Sequence, residues 1–269
     1  MGVEDKAEDK TKNIKIAAVM TCGRWGAVRS LLQITSALQE LGIPLVHTQG
    51  VFWGQCLTRA ITENLDKVDY VLTIDWDSMI TGDHIREIVF DGIRKNLDAL
   101  VPLQVRRGGQ LPLVSLGVDG EARFPKGAII PIHTGHFGMS LFRADCLRNL
   151  KKPWFLSKPN DEGGWETKSN KVDEDIYFWH NFRESGFTAW CHTGVKIGHL
   201  EEMITCYDDN LDVRYVYPQE WLEEQAKLKN EKLAAMVTPT YEETKPSTTD
   251  NPDSSDDQAD NGSGTQEAT

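Results

Sequence analysis

The sequence has no apolar run of the roughly 18 residues that a membrane-crossing helix needs. Its first thirteen residues are charged and contain no apolar segment, so neither a membrane span nor a signal peptide is expected. Cysteine is scarce and scattered: Cys22, Cys56, Cys146, Cys191 and Cys206 include no Cys-x-x-Cys pair and are odd in number. That argues against a disulfide framework or a zinc knot, and for free thiols in a reducing cytoplasm. No internal repeat is evident. Basic charge is also short: 29 Lys and Arg face 41 Asp and Glu, a formal net charge of −12 that speaks against bulk nucleic-acid binding. Much of the excess is local. Beyond Val237, the acids Glu242, Glu243, Asp250, Asp253, Asp256, Asp257, Asp260 and Glu267 stand against Lys245 alone, which leaves an ordinary balance for the rest. The loop after the first expected strand lacks Gly-x-Gly-x-x-Gly, the dinucleotide fingerprint.

The 269 residues, 39% hydrophobic and 9% aromatic, suffice for one sizeable domain with its own core. A flexible leader is expected over 1–13 and the domain over 14–236. Over 237–269 the composition turns to Pro, Thr, Ser, Asp and Gly, too poor in apolar surface to offset the entropy of ordering, so a disordered acidic tail is expected there.

The chain is organised around Asp69 to Ser78, where the apolar run Tyr70-Val71-Leu72-Thr73-Ile74 stops at Asp75-Trp76-Asp77. A buried strand ending in this way delivers two carboxylates to the rim of a sheet. Hard divalent cations such as Mn²⁺ or Mg²⁺ take oxygen ligands and often share their coordination between carboxylates and substrate phosphates. Open α/β sheets bind ligands outside the carboxyl ends of their strands. A solvated turn is the plain alternative.

Before that stretch, Ile14 to Met20 reads as a strand, and Thr21 to Gly26 as a small-residue loop carrying Arg24, whose guanidinium suits phosphate or a base. Leu31, Leu32, Ile34, Leu38 and Leu41 recur at helical spacing, Gly42 closes that helix, and Pro44 to His47 starts a second strand. Val51 to Leu65 reads as a helix with Gln55 and Arg59 on one face. This order suggests a Rossmann-like half. After the central strand, Thr81 to Ile93 reads as a helix, Ala99 to Leu103 as a strand, and Gln104 to Gly127 as an irregular section of the kind that binds substrate. Gly135 and Gly138, in Gly-x-x-Gly spacing, allow backbone to approach a ligand. Ser157 to Lys171, with Gly163-Gly164-Trp165, has the composition of a mobile lid. Asp173-Glu174-Asp175 opens a helix, where acids meet the positive end of the dipole. Phe187 to Cys191 and Val195 to Leu200, containing His199, read as two further strands, and Trp221 to Met236 as a last helix.

In this order, Asp75-Trp76-Asp77, Gly135-His136-Phe137-Gly138, Asp173-Glu174-Asp175 with Phe178, and a strand ending in His199 resemble the GT-A-fold, family-2-like glycosyltransferases, over roughly Lys15 to Leu200. The resemblance implies a single-domain α/β fold with a mixed, mostly parallel sheet flanked by helices. It also implies a nucleotide-diphosphate sugar donor, UDP- or GDP-linked, a hydroxyl acceptor of unknown kind, and Mn²⁺ or Mg²⁺ as cofactor. Asp75 and Asp77 look like the metal-binding pair, and His199 like a further metal ligand. Glu174-Asp175 is similar to the family motif whose Asp is the general base of inverting members. Thr21, Arg24, Arg59, Asp75 and Gly135 fall on the donor side. The alternatives are a GT-A-like nucleotidyltransferase, or a binding module without catalysis.

Overall fold

The computed structural model describes residues 14–23, 26–108, 111–117, 124–166, 170–208 and 210–237. The expected leader, Arg24 and the expected tail from residue 238 onward lie outside them. The chain divides into two compact units, Met1–Tyr217 and Pro218–Thr269. Among its described residues the second unit holds one helix, α6 (Pro218–Val237), and everything below concerns the first. No described helix is long and apolar enough to cross a membrane.

The first unit is built on a seven-stranded sheet in the order β2-β1-β3-β7-β5-β8-β6. These strands are β1 (Ile16–Cys22), β2 (Leu45–Gln49), β3 (Tyr70–Asp75), β5 (Ala99–Leu103), β6 (Ile129–Ile132), β7 (Met139–Arg143) and β8 (Ala189–Lys196). β2, β1 and β3 are parallel, and β5 and β8 are parallel. β7 runs against both β3 and β5, and β6 runs against β8. Five strands therefore point one way and two the other. This is the mixed, mostly parallel sheet flanked by helices expected from the sequence.

Strands buried on both faces read as continuous apolar runs. Val71, Leu72 and Ile74 of β3 and Leu100 and Val101 of β5 are all at most 1% exposed. Each face carries its own apolar layer. Ile34 and Leu38 of α1 (Val28–Glu40) and Ile85 and Ile88 of α3 (Gly82–Arg94) cover one. Leu57 and Ile61 of α2 (Trp53–Asn64), Leu147 of α4 (Ala144–Asn149) and Phe178, Trp179 and Phe182 of α5 (Glu174–Glu184) cover the other. On that second side Phe137, Phe142, Phe155, Phe178, Trp179 and Phe182 form a continuous aromatic cluster with ring centroids 5.0 to 6.0 Å apart.

Helix ends follow the sequence signals. Gly42 (φ 67°) donates to Gln39 O, and Ile43 donates to Leu38 O, a left-handed close that releases the chain into β2. Gly186 (φ 87°) and Phe187 repeat this arrangement after α5. Thr81 and His84 cap α3 reciprocally.

Three details depart from the sequence reading. Leu31 and Leu32 are exposed, because α1 buries only the narrower stripe through Ile34 and Leu38. The segments expected as Phe187–Cys191 and Val195–Leu200 form one continuous strand, β8, followed by the two-residue β9 (Gly198–His199). A hairpin, β10 (Ile204–Tyr207) with β11 (Val213–Val216), lies where no element was expected.

Trp179 is wholly buried among Phe137, Phe142, Phe178 and Phe182. Trp179→Ala is expected to destabilise the first unit by about 3–5 kcal/mol through lost transfer energy and a residual cavity. The shift in urea midpoint on equilibrium unfolding measures it.

Candidate functional site

β1 feeds α1 and then β2 on one side of itself, whereas β2 feeds α2 and then β3 on the other. The strand order therefore reverses between β1 and β3, and such a reversal opens a crevice outside the carboxyl ends of the two strands. Thr21 of β1 stands level with Asp75 of β3 at that rim. The backbone N–H of Asp75 donates to Gly138 O at 3.2 Å, which ties the rim of β3 to the start of β7.

Three residues beyond Asp75 the chain enters a second, smaller ladder. β4 (Ser78–Met79) pairs antiparallel with β9, setting Ser78 opposite His199. Leu200 N–H donates to Asp77 O at 2.8 Å, and the buried Gln104 donates to Gly198 O at 3.1 Å and to Ser78 Oγ at 3.3 Å. This clamp brings together residues 122 apart in sequence: His199 Nε2 lies 3.3 Å from Asp77 Oδ2.

The chemistry of that contact follows from the other ring nitrogen. His199 Nδ1 is 3.0 Å from Val105 O, and a carbonyl oxygen only accepts, so Nδ1 bears the proton. The Nε2 lone pair then confronts a carboxylate oxygen. Two acceptors at this distance call for a cation or a proton between them. Fixing the tautomer through a backbone carbonyl is also how metal-bound histidines are commonly oriented.

Around this pair lies a pocket with a cavity volume of about 230 Å³, bordered by Trp53, Asp75, Gln104, Arg107, His136, Gly138, Glu174 and Asp175 as well as by Asp77 and His199. Asp77 is buried and Arg107 lies 3.5 Å from its Oδ2. Burial, and next the neighbouring Asp77, push the Asp75 carboxyl up to about 7, while the Trp53 indole N–H, hydrogen-bonded to it, and His199 pull the other way. Burial likewise raises the Asp175 pKa, and a hydrogen bond from Ile176 N–H at 2.8 Å opposes it. His136 is locked neutral: Nε2–H donates to Pro102 O at 2.9 Å and Nδ1 accepts from Gly138 N–H at 3.1 Å, and burial pushes its pKa down to about 4.

Among the described residues, no three His, Cys, Asp or Glu side chains are drawn together tightly enough to cage an ion unaided. Asp77 and His199, with Asp75 beside them, instead make an open donor set of oxygens and one imidazole. Such a set fits a Mn²⁺- or Mg²⁺-sized cation that completes its shell with substrate oxygens, the usual arrangement where phosphates are bound.

The other expected residues are placed differently. Thr21 is buried in the sheet beside Asp75 and does not border the pocket. Gly135 turns to the core: a Cβ there would stand 2.8 Å from the Trp179 ring and 3.2 Å from Val101, so close packing accounts for this glycine. Arg59 and Gln55 border a second groove of about 860 Å³, together with Thr58, Lys152 and Phe155. Glu174 borders both cavities, and its carboxylate accepts the Gly54 N–H at 3.0 Å. It thereby caps α2, whose own N-cap residue, Phe52, makes no side-chain cap bond. Sequence reasoning missed Gln104, Arg107 and His136 as site residues. The only signal for the first two was the irregular composition from Gln104 onward, and His136 was read only as part of the Gly-x-x-Gly segment.

Two outcomes follow for stability. Glu174→Ala is expected to cost about 0.5–2 kcal/mol by uncapping α2, measured by chemical denaturation. The folded chain takes up the His136 proton only near pH 4, against an ordinary 6.5, so its contribution is whole above pH 6.5 and is lost as pH falls toward 4. The stability difference between wild type and His136→Gln should accordingly shrink over that window by about 1.4 kcal/mol per pH unit, and a pH series of denaturant midpoints reads it.

No protein-family model matches the sequence, and no curated protein sequence matches it. Among solved structures the chain is similar to A197 from STIV, at 15% identity over 74% of this chain and 93% of that one, with a TM-score of 0.49. It is also similar to GalNAc-T7 in complex with UDP, GalNAc and Mn²⁺, at 10% identity over 70% of this chain and 44% of that one, TM-score 0.45. A third is S. aureus TarS residues 1–349 in complex with UDP-GlcNAc, at 11% identity over 78% of this chain and 64% of that one, TM-score 0.41. The chain thus spans less than two thirds of the last two. All three scores are low, and none bears on what this chain binds.

Proposed function

We propose that this protein is a metal-dependent glycosyltransferase that moves a sugar from a nucleoside-diphosphate sugar to a hydroxyl acceptor with inversion. The observation that carries the reading is the His199 imidazole, its Nδ1–H committed to Val105 O, aiming its free nitrogen at the Asp77 carboxylate on the rim where the strand order reverses. Asp77, His199 and Asp75 would hold the cation. A divalent ion there supplies positive charge against the negative charge that develops on the diphosphate leaving group.

The remaining groups divide the work. Trp53 borders the pocket beside Asp75, and its indole N–H favours the charged form of that carboxyl. Asp175 borders the same pocket, and its raised pKa makes it a better proton acceptor for an attacking hydroxyl than an ordinary carboxylate would be. Glu174 acts through the start of α2, so its role in the reaction is positional. Thr21 stands level with Asp75 at the rim of β1, and on this reading that side of the crevice takes the nucleotide and the side of Asp175 the acceptor.

Calorimetry and thermal shift with Mn²⁺ and a panel of UDP- and GDP-sugars test the reading. A matching donor is expected to raise the melting temperature by mass action, and Asp77→Ala to abolish both the shift and turnover. Asp175→Asn is expected to retain donor binding while kcat falls about 10²–10⁴-fold. A wild-type protein that ignores every nucleotide sugar with metal present overturns the proposal. Tight binding without transfer or hydrolysis identifies a binding module instead.

A further inference from the structure

The charge of the pocket poses a difficulty for any diphosphate. Asp75, Asp77, Glu174 and Asp175 all border it, and Arg107 is the one Lys or Arg among its described lining residues. Anionic phosphates would meet a wall of carboxylates unless positive charge arrives first.

Arg107 is placed to respond to that charge. Its loop is tied down on both sides of the residue. Arg106 N–H donates to Leu111 O and Leu113 N–H to Gln104 O, each at 2.9 Å, and Val105 bridges to Pro112. Val105 O holds His199 Nδ1–H, and Gly108 N–H donates to the Glu201 carboxylate. The backbone is thus held against the segment that carries His199, whereas the Arg107 side chain is 60% exposed. Its Nη2 lies 3.5 Å from Asp77 Oδ2, beyond the range of a strong charge-assisted bond, and His199 Nε2 approaches the same oxygen. The carboxylate is buried but the guanidinium is largely in solvent and sits at a long 3.5 Å, so its hold on Asp77 is screened and easily given up. A guanidinium released from it keeps five donors in a planar fork, the geometry that engages phosphate oxygens in pairs.

We propose that Arg107 exchanges partners: it neutralises Asp77 until a divalent cation binds, and then clamps the diphosphate of a nucleotide ligand. This rests on the function proposed above. It follows that Arg107 competes with the cation and co-operates with the diphosphate, two effects of opposite sign that a purely structural role would not produce.

The experiment uses the full chain as wild type, Arg107→Gln and Arg107→Lys. Mn²⁺ is titrated alone by calorimetry, and UDP and GDP are then titrated in turn at saturating Mn²⁺. The Gln variant is expected to bind Mn²⁺ about two- to fivefold more tightly, since a weak competing pair is gone. It is expected to bind the nucleoside diphosphate at least about tenfold more weakly, since bonds between charged partners are gone. The Lys variant should return Mn²⁺ affinity to the wild-type value yet recover only part of the nucleotide affinity, having charge without the fork. Equal nucleotide affinity in wild type and Arg107→Gln, or weaker Mn²⁺ binding in that variant, overturns the role of Arg107 and leaves the proposed function standing. Failure of wild type to bind either Mn²⁺ or a nucleoside diphosphate overturns both.

Discussion

The short ladder between β4 and β9 is the constraint on which the site depends. It holds only two residues on each strand, yet it decides what faces Asp77. Side chains alternate along a strand, so a slip of one residue would turn His199 away and present Gly198 or Leu200 instead. The ladder is too short to hold its own register, and buried Gln104 supplies what it lacks. Bonded to Ser78 on one strand and to Gly198 O on the other, it holds both from the side. Leaving that amide without partners in the interior would carry the full desolvation penalty, which is why the register is well specified.

The acids at the rim show the opposite tendency. Asp75 and Asp175 are placed where their charge is disfavoured, by burial and by another acid close by, and both have raised pKa values as a result. A fold optimised for stability alone would not gather four carboxylates around one pocket. It keeps them through local compensation: the Trp53 indole on Asp75, Ile176 N–H on Asp175, the start of α2 on Glu174, and His199 with Arg107 on Asp77. Positions that violate local rules while the surroundings satisfy them are where function tends to reside. The aromatic cluster under α5 provides the rigid support this needs, because Phe178 and Trp179 fix the helix whose first turn carries Glu174 and Asp175.

Much of the fold was legible in the sequence wherever the signal was local. The apolar run of β3, the stop at Gly42 and the helix starting at Thr81 each depend on residues within a few positions of one another. Less was legible where one residue type serves two purposes. Gly135 suggested close approach to a ligand, but its missing side chain makes room for Trp179, 44 positions later and on another element. Arg59 shares a helix face with Gln55 as expected, yet that face looks onto the second groove. Glu174 heads a helix, as an acid should, while capping a different one.

By itself the sequence determined that a buried strand ends in two carboxylates, that a helix opens with three acids, and that strands and helices alternate in a Rossmann-like order. These are properties of periodicity, capping and composition, which act over a single turn or pleat. Only the tertiary structure decided that Asp77 meets His199 and Arg107, that Trp53 attends Asp75, and that Gln104 clamps the ladder. Those neighbours are set by the order of strands in the sheet and by the pairing of β4 with β9. Such contacts form between residues up to 122 positions apart, and no local pattern encodes which of many compatible partners will lie within a few ångströms.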